Sequence, residues 1–266
     1  MKIAIPGSFD LKRRYIKFCQ FAPGAGRRAA LRLALWNRRR DIYVRPRGVA
    51  QPLLVRADSS DYDVFMQIFA ANEYACLLGA EGVDLIIDAG ANVGYSSAYF
   101  LSHFPDCRVI AVEPDAANFA ALQRNLAPYG ERAQVFNCGI WSKTVPLTID
   151  QRAYRDGRDW TRQVRECEPG ESGEIQAVTV GDLMRRAGRQ RLSILKMDIE
   201  GAEAVVFADP SHRDWLERTD TIAIELHDDS SFGPASALFH AAIGDQPFAI
   251  SSSGELTICR RNPGHR

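Results

Sequence analysis

Several things are scarce or missing in this chain of 266 residues, and each absence removes a class of protein. No apolar run approaches the ~20 residues that cross a bilayer; the stretch Val83 to Ile87 already carries Asp84. The six cysteines (Cys19, Cys76, Cys107, Cys138, Cys167 and Cys259) form no C-x-x-C pair and have no histidine at metal-ligand spacing, so free thiols in a reducing compartment are expected. After the apolar opening MKIAIPGSF, polar and charged residues follow at once without a small-residue cleavage site, so no secretory signal is expected and the protein is placed in the cytoplasm. There is no internal repeat or low-complexity tract, and no N-P-P-Y or D-P-P-Y box for base methylation. With 46% hydrophobic and 25% charged residues, what is left is an ordinary folded body.

The formal net charge of zero conceals a division at residue 50. The first 50 residues hold 13 Lys and Arg against two acids, Asp10 and Asp41, and the remainder carries the opposite balance. Within this basic arm, Leu11 to Phe21 and Arg27 to Arg40 repeat apolar residues near helical spacing, which predicts two short basic amphipathic helices. Two readings stand: attachment to an anionic membrane face or phosphorylated substrate, or a helical pair packed on the body with a solvated basic side. The expected domains are a basic extension over 1–55 and a main domain over 56–266.

A strand pair around Pro46-Arg47-Gly48 and a helix over DYDVFMQIFAANEYACLL precede the core. From residue 83 apolar β runs alternate with helical stretches: VDLIID, RVIAVEP, AQVFNCGI, ILKMD and TIAIELH, with helices after most of them. That alternation predicts a parallel sheet covered on both faces. FAIS and ELTIC around Ser252-Ser253-Gly254 predict an edge hairpin. The polar segment from Asp150 to Glu174, with Trp160 in it, reads as an insertion of the kind used for lids or substrate loops.

The chemistry concentrates in VDLIIDAGANVGYSS. A strand ends in Asp88, the turn Gly90-Ala91-Asn92-Val93-Gly94 follows, and a helix starts near Tyr95, an arrangement that admits close approach of a nucleotide-type ligand. A dinucleotide fingerprint, G-x-G-x-x-G, is not met, because Asn92 takes the second glycine's place and Gly94 comes one residue early. Glu113, followed by Pro114, closes the next strand and arrives at the same edge, where a carboxylate accepts the hydroxyl protons of a ribose.

The pair D-x-G-x-N-x-G and V-x-x-E-P resembles the S-adenosylmethionine site of class I methyltransferases, and ILKMDIEGAE, VFMQIFAANEY and TIAIELH resemble the FkbM-type methyltransferase family. The resemblance spans roughly residues 60 to 260. It implies a class I, Rossmann-like, mostly parallel sheet closed by an antiparallel hairpin, S-adenosylmethionine as cofactor, and O-methylation of a sugar, glycolipid or similar small hydroxylated product. It further implies that Asp88 and Gly90 meet the methionine end, Glu113 the ribose, and Asn137-Cys138-Gly139 the adenine side, with Ala91, Asn92, Gly94 and Pro114 also among the cofactor-binding residues. Tyr74 is a candidate for the methionine moiety. Asp198 and Glu200, at the carboxyl end of the fourth strand, and Glu225 and His227, at the end of the fifth, are the candidate bases for the acceptor hydroxyl.

These acids, with Asp228 and Asp229, are also compatible with a divalent ion, but no spacing fixes one and a metal is not favoured. A nicotinamide-dependent oxidoreductase and a non-catalytic nucleotide-binding module are the competing classes. The partner expected is a small-molecule or glycan acceptor, not nucleic acid, with the basic arm able to touch an anionic membrane at its inner face.

Overall fold

The computed structural model describes residues 8–149 and 164–265. The tip of the polar segment, including Trp160, lies outside the described residues. The chain divides into two compact units, Met1–Leu78 and Gly79–Arg266.

In the first unit, α1 (Ser8–Ala25) and α2 (Arg27–Leu35) pack against each other about Gly26, and β1 (Ile42–Val44) pairs antiparallel with β2 (Leu53–Val55). Asp61, wholly buried, accepts from the backbone and guanidinium of Arg56 at 2.7–3.2 Å and so joins β2 to α3 (Asp61–Phe65). The long helix expected over residues 61–78 is interrupted. After α3 come a π-type turn, Met66–Ala70, and a 3₁₀ turn, Glu73–Leu77, separated by Asn72 at φ 57°. Asparagine tolerates that left-handed conformation better than most residues, which is why the break falls there.

The second unit is built on a seven-stranded sheet. Its strands are β3 (Leu85–Ala89), β4 (Arg108–Val112), β5 (Ala133–Phe136), β10 (Leu192–Met197), β11 (Thr219–Glu225), β12 (Phe248–Ser253) and β13 (Leu256–Arg261). They lie in the order β5-β4-β3-β10-β11-β13-β12, all parallel except β13, which runs against both neighbours. This is the mostly parallel sheet closed by an antiparallel hairpin that the resemblance implied. The hairpin turns at Gly254-Glu255, slightly later than expected. The central strands are mostly apolar because helices cover both faces: α4 (Tyr95–His103) and α5 (Ala116–Leu126) on the β3–β5 side, with α7 (Glu203–Ala208), α8 (His212–Leu216) and α9 (Ala235–Ile243) closing the rest. Tyr95 to Leu101 are all buried, so α4 is enclosed rather than laid on the surface. Phe207, on α7, packs edge-on to Phe239 of α9 at 4.9 Å, within the core that includes Leu195 and Ile222.

A second sheet was not foreseen. Asn137 Nδ2 donates to the carbonyls of Glu113 and Pro114, at 2.9 and 3.0 Å, and there the run AQVFNCGI turns out of the large sheet. Its end, β6 (Gly139–Ile140), joins β7 (Pro146–Ile149), β8 (Val164–Glu166) and β9 (Ile175–Val178) in the order β6-β9-β7-β8. The flanks of the expected insertion thus belong to the folded body. Between β9 and β10, α6 (Val180–Arg186) starts on a reciprocal Thr179–Asp182 cap.

Parallel register brings Ala89, Val112 and Met197 to one level, so the residues that follow them share the sheet's carboxyl edge. Order reverses at β3, with β4 on one side and β10 on the other, and open α/β sheets bind ligands at that switch point. The approach is close. A Cβ on Gly90 would sit 1.7 Å from the Asp198 carbonyl oxygen, and Gly90 also holds φ at +75°. Gly90→Ala is therefore expected to cost more than ~3 kcal/mol in urea unfolding, from left-handed strain plus overpacking against backbone. Gly254→Ala, at φ +61° in open space, should cost only about 1 kcal/mol.

Candidate active site

The glycine turn is pinned from β4. The N–H groups of Gly90 and Ala91 both donate to the Val112 carbonyl, at 3.0 and 2.9 Å, and that of Asn92 donates to Glu113 Oε2 at 2.9 Å. Gly94 N then donates to Ala91 O at 2.8 Å as α4 begins. Three successive N–H groups are thus engaged inside the protein, and they do not form an anion nest for a pyrophosphate. Asn92 itself is left-handed, at φ 50°, and its buried Oδ1 has no hydrogen-bond partner.

Glu113 serves the same turn. Besides Asn92 N, its carboxylate takes Asp115 N at 2.9 Å, and Asp115 caps α5 by accepting from Ala117 and Asn118. Burial pushes the Glu113 carboxyl up to about 7, against the pull of the Asp115 and Asn92 N–H groups and of Lys196; the charge of Asp115 adds to the rise. Pro114 is half-buried and Asn137 exposed beside this strand end, while Cys138 and Gly139 are buried, with Leu147 packed close over Gly139.

Asp88 lies deeper than a surface contact would. It is wholly buried, its Oδ2 accepts from Ser96 and Ser97 Oγ at 2.6 Å each, and its Oδ1 lies 3.3 Å from Lys196 Nζ. Lys196, which the sequence did not single out as a site residue, also donates to Gly90 O at 2.6 Å and reaches to 3.9 Å from Asp198 Oδ2. A lysine inside an otherwise apolar strand is the signal that marks it, because a buried ammonium must be paired. Tyr74 belongs to the first unit, buried in the turn Glu73–Leu77.

The four candidate bases come together at the ends of β10 and β11. His227 is 1% exposed and its Nε2 lies 3.4 Å from Glu225 Oε1, 3.7 Å from Glu200 Oε2 and 3.9 Å from Asp198 Oδ1. Its Nδ1 is 3.1 Å from Glu203 Oε1, so Nδ1 carries a proton and the carboxylate accepts it. Glu203, the other residue sequence reasoning passed over, is wholly buried and accepts from Ile199 N and Gly201 N at 2.8 Å each. It thereby fixes a turn in which Glu200 is left-handed at φ 54°. Asp228 stands apart, accepting from Ser236 N at 2.7 Å.

Electrostatics separates the roles. Asp198 keeps 30% of its side chain exposed, yet burial among its neighbours pushes its pKa up to about 6; Lys196 and His227 oppose the rise, and Glu225 and Glu203 add to it. Burial works against the His227 cation, but its hydrogen bond to Glu203, the Glu225 carboxylate 3.4 Å away and the charges of Glu203 and Asp198 outweigh it and push the ring up to about 11. With the ring's pKa raised well above neutrality, the candidate proton acceptors at this cluster are the carboxylates Asp198, Glu200 and Glu225.

Glu113 makes a pH test possible. The native state holds a proton at about 7 that the unfolded chain releases near 4.5, so this contribution to stability is complete below about 4.5 and lost as pH rises through 7. The expected decline is about 2–3 kcal/mol. It should appear as a falling urea midpoint between pH 5 and pH 8 that Glu113→Gln flattens.

Comparison with known proteins agrees with this geometry. A family model described as the methyltransferase FkbM domain matches residues 88–245, more than half of the chain. Among curated relatives, methyltransferase sdnD of Sordaria araneosa is 25% identical over 237 residues, covering 75% of this chain and 90% of that protein. The 31-O-demethyl-FK506 methyltransferase FkbM of Streptomyces tacrolimicus is 24% identical over 214 residues, covering 68% and 82%. Methyltransferase 1 of Beauveria bassiana is 27% identical over 176 residues, covering 59% and 70%. With the glycine turn, the acidic end of β4 and the Asp198–Glu203 turn all inside the matched span, the chain belongs to the FkbM methyltransferase domain family and is a methyltransferase.

Proposed function

We propose that this protein moves a methyl group from S-adenosylmethionine to a hydroxyl oxygen of a sugar, glycolipid or similar small natural product. The observation that carries the reading is the pairing, at one sheet edge, of Glu113 beside the glycine turn with Asp198 at the end of β10. The turn suits an adenosyl ligand. Each Glu113 oxygen accepts one backbone N–H and keeps a further lone pair for a ribose hydroxyl, and the buried Asn92 Oδ1 offers an unused acceptor next to it. A dinucleotide is disfavoured because the N–H groups of residues 90 to 92 already serve Val112 and Glu113.

When bound, the cofactor supplies an electrophilic methyl on sulfur. The chain's own work is to hold the acceptor oxygen in line and receive its proton. Asp198 Oδ, with its pKa raised to about 6, takes the hydroxyl proton as the new C–O bond forms. The His227 cation and Lys196 hold the carboxylates in place around it. The name of the Streptomyces relative, an O-demethyl product methyltransferase, supports oxygen as the accepting atom.

Calorimetry tests the cofactor: S-adenosylhomocysteine should bind and NAD should not, and Glu113→Ala should weaken binding by ~1.5–3 kcal/mol, the worth of hydrogen bonds to a charged group. Comparable heat from NAD with none from S-adenosylhomocysteine would overturn the reading. The acceptor is sought by mass spectrometry of cell glycans and glycolipids with and without the protein, reading a gain of one methylene. Asp198→Asn should lower its formation ~10²–10⁴-fold.

The basic arm supports a location for that acceptor. Leu31 and Leu35, 53% and 54% exposed, stand on α2 among the exposed Arg27, Arg28 and Arg32, an apolar stripe set in positive charge. We infer peripheral binding to an anionic membrane, to which each nearby Lys or Arg adds ~1 kcal/mol at low salt. Flotation with phosphatidylserine vesicles should show salt-sensitive binding that Arg28→Glu with Arg32→Glu abolishes. No binding at low salt would refute it.

A further inference from the structure

The pocket around His227 has a property that proton transfer does not require. The ring is almost wholly buried, its Nδ1–H is fixed by Glu203, and its Nε2 makes no hydrogen bond although it points among three carboxylates. A direct hydrogen bond would draw such a pair to ~2.7–3.2 Å. Here the separations are 3.4 Å to Glu225, 3.7 Å to Glu200 and 3.9 Å to Asp198. Metal–ligand bonds of ~2.1–2.3 Å set neighbouring donors about 3.0–3.7 Å apart, a range that holds the Glu225 and Glu200 separations and that the Asp198 separation exceeds slightly. One donor atom each from Asp198, Glu200 and His227 lies within 4.8 Å of the others.

The surroundings have the form that metal histidines take. A ligating imidazole donates its other N–H to a carboxylate, which fixes the tautomer and aims the free nitrogen. Glu203 does this for His227, and it also accepts Ile199 N and Gly201 N, so one buried carboxylate orients both the histidine and the turn that carries Asp198 and Glu200. The left-handed backbone at Glu200, a conformation disfavoured for a residue with a side chain, is held in that turn.

From this geometry we infer that Asp198, Glu200 and His227 bind one divalent first-row transition ion, with Glu225 Oε1 as an available fourth ligand and Glu203 as the positioning residue. One imidazole with carboxylates suits manganese, iron or zinc better than calcium or magnesium. Three protein ligands leave coordination positions open, as catalytic metal sites do, and two neighbouring oxygens of a sugar or polyol acceptor would fill them. The metal site stands on the residues alone; its role toward an acceptor rests on the methyltransferase reading above.

The test uses the full chain, stripped with chelator and titrated with Mn²⁺ while the free ion is followed by electron paramagnetic resonance. One ion per chain is expected, with affinity reduced tenfold or more in Asp198→Asn and in His227→Gln, about tenfold in Glu203→Gln, and unchanged in the surface variant Asp106→Asn. Spin-echo modulation from a coordinated imidazole nitrogen should appear in the unaltered protein and vanish in His227→Gln. That measurement on the unaltered chain decides the matter even where a variant fails to fold. Absence of stoichiometric Mn²⁺, binding without nitrogen modulation, or equal affinity in folded Asp198→Asn and His227→Gln variants would overturn the site. Calorimetry with S-adenosylhomocysteine on the same samples separates the two proposals: cofactor binding without Mn²⁺ removes the metal alone, and Mn²⁺ binding without the cofactor removes the methyl-donor reading alone.

Discussion

A single buried ammonium ties the carboxyl edge of this sheet together. Lys196 Nζ, 2% exposed as a residue, reaches Gly90 O at 2.6 Å, Asp88 Oδ1 at 3.3 Å and Asp198 Oδ2 at 3.9 Å. An unpaired charge at that depth would cost several kcal/mol, so the residues around it are constrained together. The Gly90 carbonyl must turn toward the ammonium, and the backbone of β10 must come close enough that no Cβ fits at residue 90. Asp88 is held from its other side by Ser96 and Ser97, the first turn of α4. One contact set therefore locks the glycine turn, the start of α4 and the Asp198 turn into a common geometry.

The same economy explains why this glycine turn, in a fold shared with dinucleotide enzymes, does not suit a pyrophosphate. In a pyrophosphate site the turn's N–H groups face outward. Here Val112 O and Glu113 Oε2 take them, so the turn is stabilised by the neighbouring strand and has little attraction left for a phosphate. Glu113 is in consequence a structural acceptor buried beside the turn, and that burial raises its pKa.

Much of this was legible in the sequence. Short apolar runs such as Leu85–Ile87 read as strands buried on two faces, and their alternation with helices points to a parallel sheet whose acids collect at one edge. Asp198, Glu200, Glu225 and His227 were found as candidates for that reason. What sequence spacing could not show is which acid of IEGAE turns inward. Glu200 stands on a left-handed residue facing the cluster and Glu203 is wholly buried behind it, a distinction made by backbone conformation and not by residue type. The second sheet escaped because its strands have only two to four residues, one of them opening on a proline, and carry too little period to register. The helix break at Asn72 was hidden because the apolar spacing continues across it.

Charge gives the edge its chemical preference. Asp88, Asp198, Glu200, Glu203 and Glu225 gather around two cations, Lys196 and His227, in a region largely withdrawn from water. Such a surplus of negative charge in low dielectric repels a phosphate and attracts a cation. On the reading proposed here, the sulfonium of the methyl donor is that cation. Transfer of the methyl leaves a neutral thioether, so the attraction is lost at the step that forms product. A divalent ion displacing the proton of His227 would reduce the surplus without reversing it, since five carboxylates would then face three charges, two on the ion and one on Lys196. The field that draws in the donor and weakens the hold on its product survives with either occupant.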